Sequence, residues 1–126
     1  MMGTRTILGV AQTGSGDMMI DWARVNDLRA EVGHDSFDEI VALFLQETDQ
    51  VVTRLPSLTD AQSMEDDLHF LKGSALNLGF ARLAQVCQTG ERRAATGSAD
   101  VALDSVISTY HQSRDAFVTR LKDRAA

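Results

Sequence analysis

Apolar positions recur along most of this chain with the period of a helix. The clearest run is Phe37, Ile40, Val41, Phe44, Leu45, Thr48, Val51, Val52 and Leu55, spaced to fall on one side of a helix. Asp35 and Ser36 supply a start signal ahead of Phe37, Glu39 an acidic first turn, and Pro56 a stop. Before this run, a helix beginning near Ile20 or Asp21 would turn Val25, Leu28 and Val32 inward and end at Gly33. After a turn through Ser57 to Ala61, the residues Met64, Leu68, Leu71, Ala75 and Leu78 form a third stripe, closed by Gly79. A fourth helix from about Phe80 to Ala95 lines up Leu83, Cys87, Gly90 and Ala94, small enough for a neighbouring helix to come close. Thr96, Gly97 and Ser98 form a loop. A last helix from about Ala99 to Lys122 carries Leu103, Val106, Ile107, Tyr110, Phe117 and Leu121 on one face.

No stretch shows the alternation of a strand, and there is no internal repeat. Amphipathic helices joined by short loops need one another's apolar faces. The pattern therefore predicts an all-α protein: an antiparallel up-down four-helix bundle, with an additional short N-terminal helix capping one end. Residues 1–17, with Gly3, Gly9, Gly14 and Gly16 among polar residues, offer little to bury and read as a flexible tail. Residues 18–126 form the domain.

Composition narrows the function. A chain of 126 residues has room for one core. Net charge of -6 leaves no basic footprint for nucleic acid or anionic lipid. One cysteine, Cys87, excludes an internal disulfide and fits a reducing compartment. With no signal-peptide pattern and no membrane-length apolar run, a cytoplasmic location is expected. No spacing of His34, His69 or His111 suits zinc, and Glu65 stands four residues before His69 where a di-iron bundle would need three, so no metal is expected. Cys87 lies on a core stripe, and Glu91-Arg92-Arg93 reads as a solvated helical face.

The third helix holds the candidate chemistry. At about 100° per residue, His69 points roughly 140° away from the apolar stripe, towards solvent. Lys72, one turn on, would attract an anion to the imidazole and oppose its protonation. Gly73 costs helix stability, by roughly 1 kcal/mol relative to alanine, and removes the side chain that would crowd the ring. A neutral, exposed, uncrowded imidazole beside a cation is suited to accept a phosphoryl group.

The stretch His69-Phe70-Leu71-Lys72-Gly73-Ser74-Ala75-Leu76-Asn77-Leu78-Gly79 resembles the H-x-L-K-G-S-A-x-x-L-G motif of histidine-containing phosphotransfer (HPt) domains of bacterial two-component phosphorelays. The likeness continues through Phe80 to Cys87. One departure follows, where many members read leucine-glutamate after the cysteine and this chain has Thr89-Gly90-Glu91; it is expected to loosen packing and to leave the phosphoryl chemistry untouched.

The resemblance implies a carrier that accepts a phosphoryl group on His69 from a receiver-domain aspartate and passes it to another receiver. Lys72 would balance charge on the phosphoryl oxygens, Gly73 would give the receiver clearance, and Ser74 would help orient the site. Asp66, Phe70, Leu76 and Asn77 are the candidate docking residues. The implied partners are receiver domains and a hybrid or sensor histidine kinase, with magnesium supplied by the receiver and no cofactor held by this chain. No ATP-dependent kinase activity and no dimer are expected. The alternative is an HPt-like adaptor that binds a receiver or kinase without transferring phosphate.

Overall fold

The structure is a computed structural model, and it describes residues 18–125. The expected tail at residues 1–17 lies outside the described residues. Among the described residues there are five α-helices and no strand: α1 (Trp22–Val32), α2 (His34–Arg54), α3 (Ala61–Leu78), α4 (Ala81–Ala95) and α5 (Leu103–Ala125). Contacts run from α2 to α3, α3 to α4, α4 to α5 and back from α5 to α2, which closes a four-helix ring. The helix α1 touches α2 and α3 and sits at the end of the bundle formed by the α3–α4 turn. There the Asp21 amide donates to the Gly79 carbonyl at 2.7 Å and the Arg82 amide to the Met19 carbonyl.

Local chemistry explains most boundaries. Asp21 caps α1 by accepting from the Arg24 amide, and Asp60 caps α3 by accepting from the Ser63 amide at 2.8 Å. The bonds to Ser63 hold the Asp60 carboxyl below its ordinary range. Pro56 falls in a single 3-10 turn, Leu55–Ser57, that follows α2 directly. Two starts differ from the sequence expectation. Helix α2 begins at His34, ahead of Asp35 and Ser36, because Gly33 closes α1 on the Arg29 carbonyl and also accepts the first bond of α2, from the Phe37 amide. Helix α5 begins at Leu103, not Ala99. Arg93 reaches across to the Asp100 carbonyl and carboxylate, and Ser98 Oγ accepts from the Asp100 amide, so those residues are held as a loop.

The predicted stripes meet in the core. Phe37, Leu55, Leu68, Leu71, Leu78, Phe80, Leu83, Tyr110 and Phe117 are all fully buried. Ile40 stands at the edge of its stripe and is exposed. Rings form a chain from Phe44 to Phe80 (5.1 Å), Phe80 to Phe117 (5.3 Å) and Phe117 to Trp22 (5.6 Å), joining α2, the α3–α4 turn, α5 and α1. Buried Thr48 returns its hydroxyl to the Phe44 carbonyl and lies 3.1 Å from the Tyr110 hydroxyl, which donates to Asp49. Burial first, and then Asp49, push the Tyr110 phenol up to about 12. Arg114 completes this link between α2 and α5 by pairing with the Asp49 carboxylate. Arg54 grips Asp67 with two bonds of 2.9 and 2.7 Å, tying the end of α2 to α3.

The α3–α4 turn depends on Gly79. Its φ of 97° is left-handed, and an added Cβ would lie 2.8 Å from the Asp21 carbonyl oxygen and 3.2 Å from Val25 Cγ2. Gly79→Ala is therefore expected to destabilise the fold by about 2 kcal/mol or more. Urea denaturation measures it: a loss below a few tenths of a kcal/mol would contradict this account of the turn.

Candidate functional site

The exposed flank of α3 lies between α2 and α4. His69 stands in the middle of it, with its side chain 70% exposed. Its Nδ1 lies 2.7 Å from Glu91 Oε2 on α4, and Lys72 Nζ lies 2.7 Å from the other oxygen of the same carboxylate. Glu91 is only 16% exposed and Lys72 only 24%. One carboxylate thus bridges the histidine and the lysine.

Two expectations are corrected here. Glu91 does not belong to a solvated face with Arg92 and Arg93; those two are exposed, but Glu91 turns in towards α3. The Thr89-Gly90-Glu91 departure, expected to leave the site untouched, supplies one of its three contacting side chains. Lys72 likewise is no free cation, since its ammonium is folded down onto Glu91. The cause is the residue before Glu91. Gly90 is buried, and a Cβ there would come within 2.9 Å of Leu68 Cδ1 and 3.2 Å of Val101 Cγ1. Its missing side chain lets α4 lie close against α3, which brings Glu91 within reach of the next residue after Leu68, His69.

Charge fixes the state of this trio. Burial on its own would raise the Glu91 carboxyl. The hydrogen bonds from Lys72 and His69, with their charges, outweigh that and hold it below the ordinary range. Glu91 is therefore a carboxylate, which can only accept, so His69 Nδ1 must be the donor. Beneath the trio lies Cys87, fully buried, its thiol pushed up to about 12 chiefly by burial and secondarily by Glu91. A thiol so held is not a nucleophile at neutral pH.

The remaining sequence candidates divide into two groups. Asp66 lies beside His69 in a shallow polar depression lined also by Gln62, Glu65 and Glu91, and it accepts from Gln62 Nε2. Gly73 is exposed one turn above His69, and a Cβ placed on it would meet nothing within 4 Å. The His69 ring is thus not among the groups an alanine side chain at 73 would crowd. Leu76 and Phe70 are large apolar side chains left in solvent. Ser74 and Asn77 instead line a separate groove against α1 and α2 with Leu28, Ile40, Leu43 and Phe44, and the structure does not bring Ser74 to the His69–Glu91–Lys72 trio. His34 opens α2 in solvent, and His111 is exposed with its ring against Tyr110. Among the described residues, no group of three His, Cys, Asp or Glu side chains is placed to hold a metal ion, and no helix is long and apolar enough to cross a membrane.

An exposed imidazole, held at Nδ1 by a carboxylate on the adjacent helix, is chemically able to take a phosphoryl group at its other nitrogen. The family model described as the Hpt domain matches residues 39–123. This chain belongs to the Hpt domain family, and its function is that of a histidine phosphotransfer domain in a phosphorelay. Its fold is similar to that of the histidine-containing phosphotransfer protein ZmHP2 from maize, with a TM-score of 0.72 and 24% identity over 87% of this chain and 86% of that one. It is also similar to the histidine phosphotransfer signalling protein Ypd1 of Saccharomyces cerevisiae, whose structure includes the receiver domain of its downstream response regulator Ssk1. That match has a TM-score of 0.60 and 18% identity over 79% of this chain and 88% of the other. No curated protein sequence matches this chain. At these identities the two structures speak for the fold, and both come from eukaryotes, so the bacterial setting is no property of the fold.

The depressed Glu91 carboxyl makes the trio pH-dependent. Its contribution to stability is fully present above the ordinary glutamate value of about 4.3 and is lost as pH falls through the lower folded value. Glu91→Gln should lower stability at neutral pH by on the order of 1 kcal/mol, a shift of a few degrees in melting temperature. Calorimetry from pH 7 down to 3 should show the gap between variant and wild type closing with acid. A gap that stays constant would show that the carboxylate charge contributes nothing.

Proposed function

We propose that His69 carries the phosphoryl group on Nε2, accepting it from an aspartyl phosphate of one receiver domain and returning it to the aspartate of another. The observation that carries this reading is the His69 ring itself: exposed, engaged by Glu91 at Nδ1, and so presenting Nε2 as the nitrogen with the free lone pair. In the forward step that lone pair forms the N–P bond. The P–O bond to the donor aspartate breaks, and its electron pair returns to the aspartate carboxylate. Such a transfer needs positioning and charge stabilisation more than covalent help.

Lys72 is the cation nearest the ring on this helix. Its ammonium, resting on Glu91, is one side-chain rotation from phosphoryl oxygens at Nε2. Among the described residues a side chain at Gly73 would meet nothing within 4 Å. Clearance for a partner's active site accounts for the glycine. Exposed Phe70 and Leu76, with Asp66, form the docking flank, and the neighbouring groove that holds Asn77 with exposed Ile40 and Leu43 of α2 would extend it. Such a surface suits a receiver domain, the kind of domain bound to Ypd1 in the similar yeast structure. Magnesium would come with the receiver, and the net phosphoryl donor would be a hybrid or sensor histidine kinase. The chain acts as a monomeric cytoplasmic carrier and has no ATP-dependent kinase activity of its own.

Incubation with a phosphorylated receiver domain tests the assignment. Wild-type protein should take up acid-labile, alkali-stable label, and His69→Gln should take up none; equal labelling of both would overturn it. Gly73→Gln should be more stable than wild type by about 0.5–1 kcal/mol, from helix propensity alone, yet accept phosphate at least tenfold more slowly. Unchanged transfer by this stabilised variant would remove the clearance role.

A further inference from the structure

We infer that the cleft between α4 and α5 is a binding site for a small amphipathic hydroxy acid, held by the Arg93 guanidinium at its rim and the Thr109 hydroxyl at its floor. Such a ligand has one carboxylate, a short apolar body and one hydroxyl. The inference stands apart from the carrier reading, because α4, α5 and the loop between them line the cleft and no residue of α3 does. The volume is about 320 Å³, near the lower end of the range of about 300–1,000 Å³ that ligand pockets occupy. Val86, Val101 and buried Gly90 make the surface mostly apolar. Short side chains on both helices, Gly90 on one and Ser105 and Thr109 on the other, leave the space open.

Two polar groups of the cleft have bonding capacity that the protein does not use. Thr109 is 8% exposed, yet its hydroxyl makes no hydrogen bond among the described residues. Buried hydroxyls are ordinarily bonded, and Thr48 and Thr89 both return theirs to a carbonyl of their own helix. One turn further along the same face of α5, Ser113 is fully buried and its Oγ also has no partner. At the rim, Arg93 donates from Nε to the Asp100 carbonyl and from Nη2 to the Asp100 carboxylate at 3.1 Å. A guanidinium has more donors than these two, and Nη1 makes no hydrogen bond among the described residues. The Arg93 and Asp100 side chains are 58% and 90% exposed, so water weakens their pairing. A ligand carboxylate at the mouth of the cleft takes the open edge of Arg93, with its apolar body against Val86 and Val101 and its hydroxyl at Thr109. No carboxylate lines the cleft to repel it.

Amide NMR of the full chain, titrated with 3-(4-hydroxyphenyl)propionate, tests the site. Saturable shifts should appear at Val86, Gly90, Arg93, Val101 and Thr109, with a dissociation constant on the order of 1 mM. The primary amide of the same acid should bind more weakly by about fivefold or more. Wild type should prefer the hydroxy acid to 3-phenylpropionate, which lacks the hydroxyl, and Thr109→Val should bind the two alike. Arg93→Gln should lose the preference for acid over amide. Asp100→Asn removes the competing carboxylate, keeps the guanidinium and should bind the acid more tightly than wild type does. Shifts that fail to saturate well above the expected constant, or that scatter over the surface, overturn the site. Equal affinity for acid and amide in wild type overturns the ligand class and leaves only an apolar cavity. A Thr109→Val protein that still tells the two acids apart overturns the floor contact. Because Arg93 also holds the α4–α5 loop, Asp100→Asn is the deciding variant at the rim: binding no tighter than wild type overturns the role of Arg93.

Discussion

The close contact of α3 with α4 is the constraint on which the site depends. A side chain at Gly90 would collide with Leu68 and Val101, and pushing α4 away would carry Glu91 out of reach of His69 and Lys72. The buried stripe of Leu83, Cys87, Gly90 and Ala94 is therefore more than packing. It sets the distance at which one carboxylate can bridge two residues of the neighbouring helix. Helical side chains three and four apart lie on one face, so His69 and Lys72 come to Glu91 together.

The rest of the bundle holds that contact in register. Gly79 allows the reversal between α3 and α4, and Phe80, just after it, is buried among rings from α2 and α5. Helix α1 closes the same end through the Asp21–Gly79 bond and the Trp22–Phe117 stack, far along α3 from His69. Arg54–Asp67 and the Asp49–Arg114 pair fix α2 to α3 and α5. With the scaffold satisfied by these contacts, no helix among the described residues packs over the face bearing His69, Gly73 and Leu76.

Membership of the Hpt family also changes the meaning of a stability cost. Glycine in the middle of a helix is unfavourable, and Gly73 has open space where a side chain would sit. No contact among the described residues explains it. The exposed Leu76 and Phe70 beside it are equally unexplained by folding, since burial elsewhere already completes the core. All three fall on the docking flank proposed for a receiver domain.

Periodicity alone determined the helices, their order and the residues that fill the core, because an amphipathic stripe such as Phe37 to Leu55 has one way to bury itself. It also determined that His69 points outward, since helix geometry converts spacing into direction. Boundaries were less legible: α5 begins at Leu103 because Arg93 captures Asp100, a contact between side chains that no local pattern encodes. The trio lay further from view. Glu91 stands 22 positions from His69 within a charged run that reads as solvated. The one available signal was its place next to a small buried residue on the face towards α3. Ser74 shows the converse, a residue adjacent in sequence to Gly73 that helix rotation sends to another groove. Spacing along one helix is a local quantity and can be read from sequence. Which residue of a second helix meets it depends on how closely the two helices pack, and that only the tertiary structure decided.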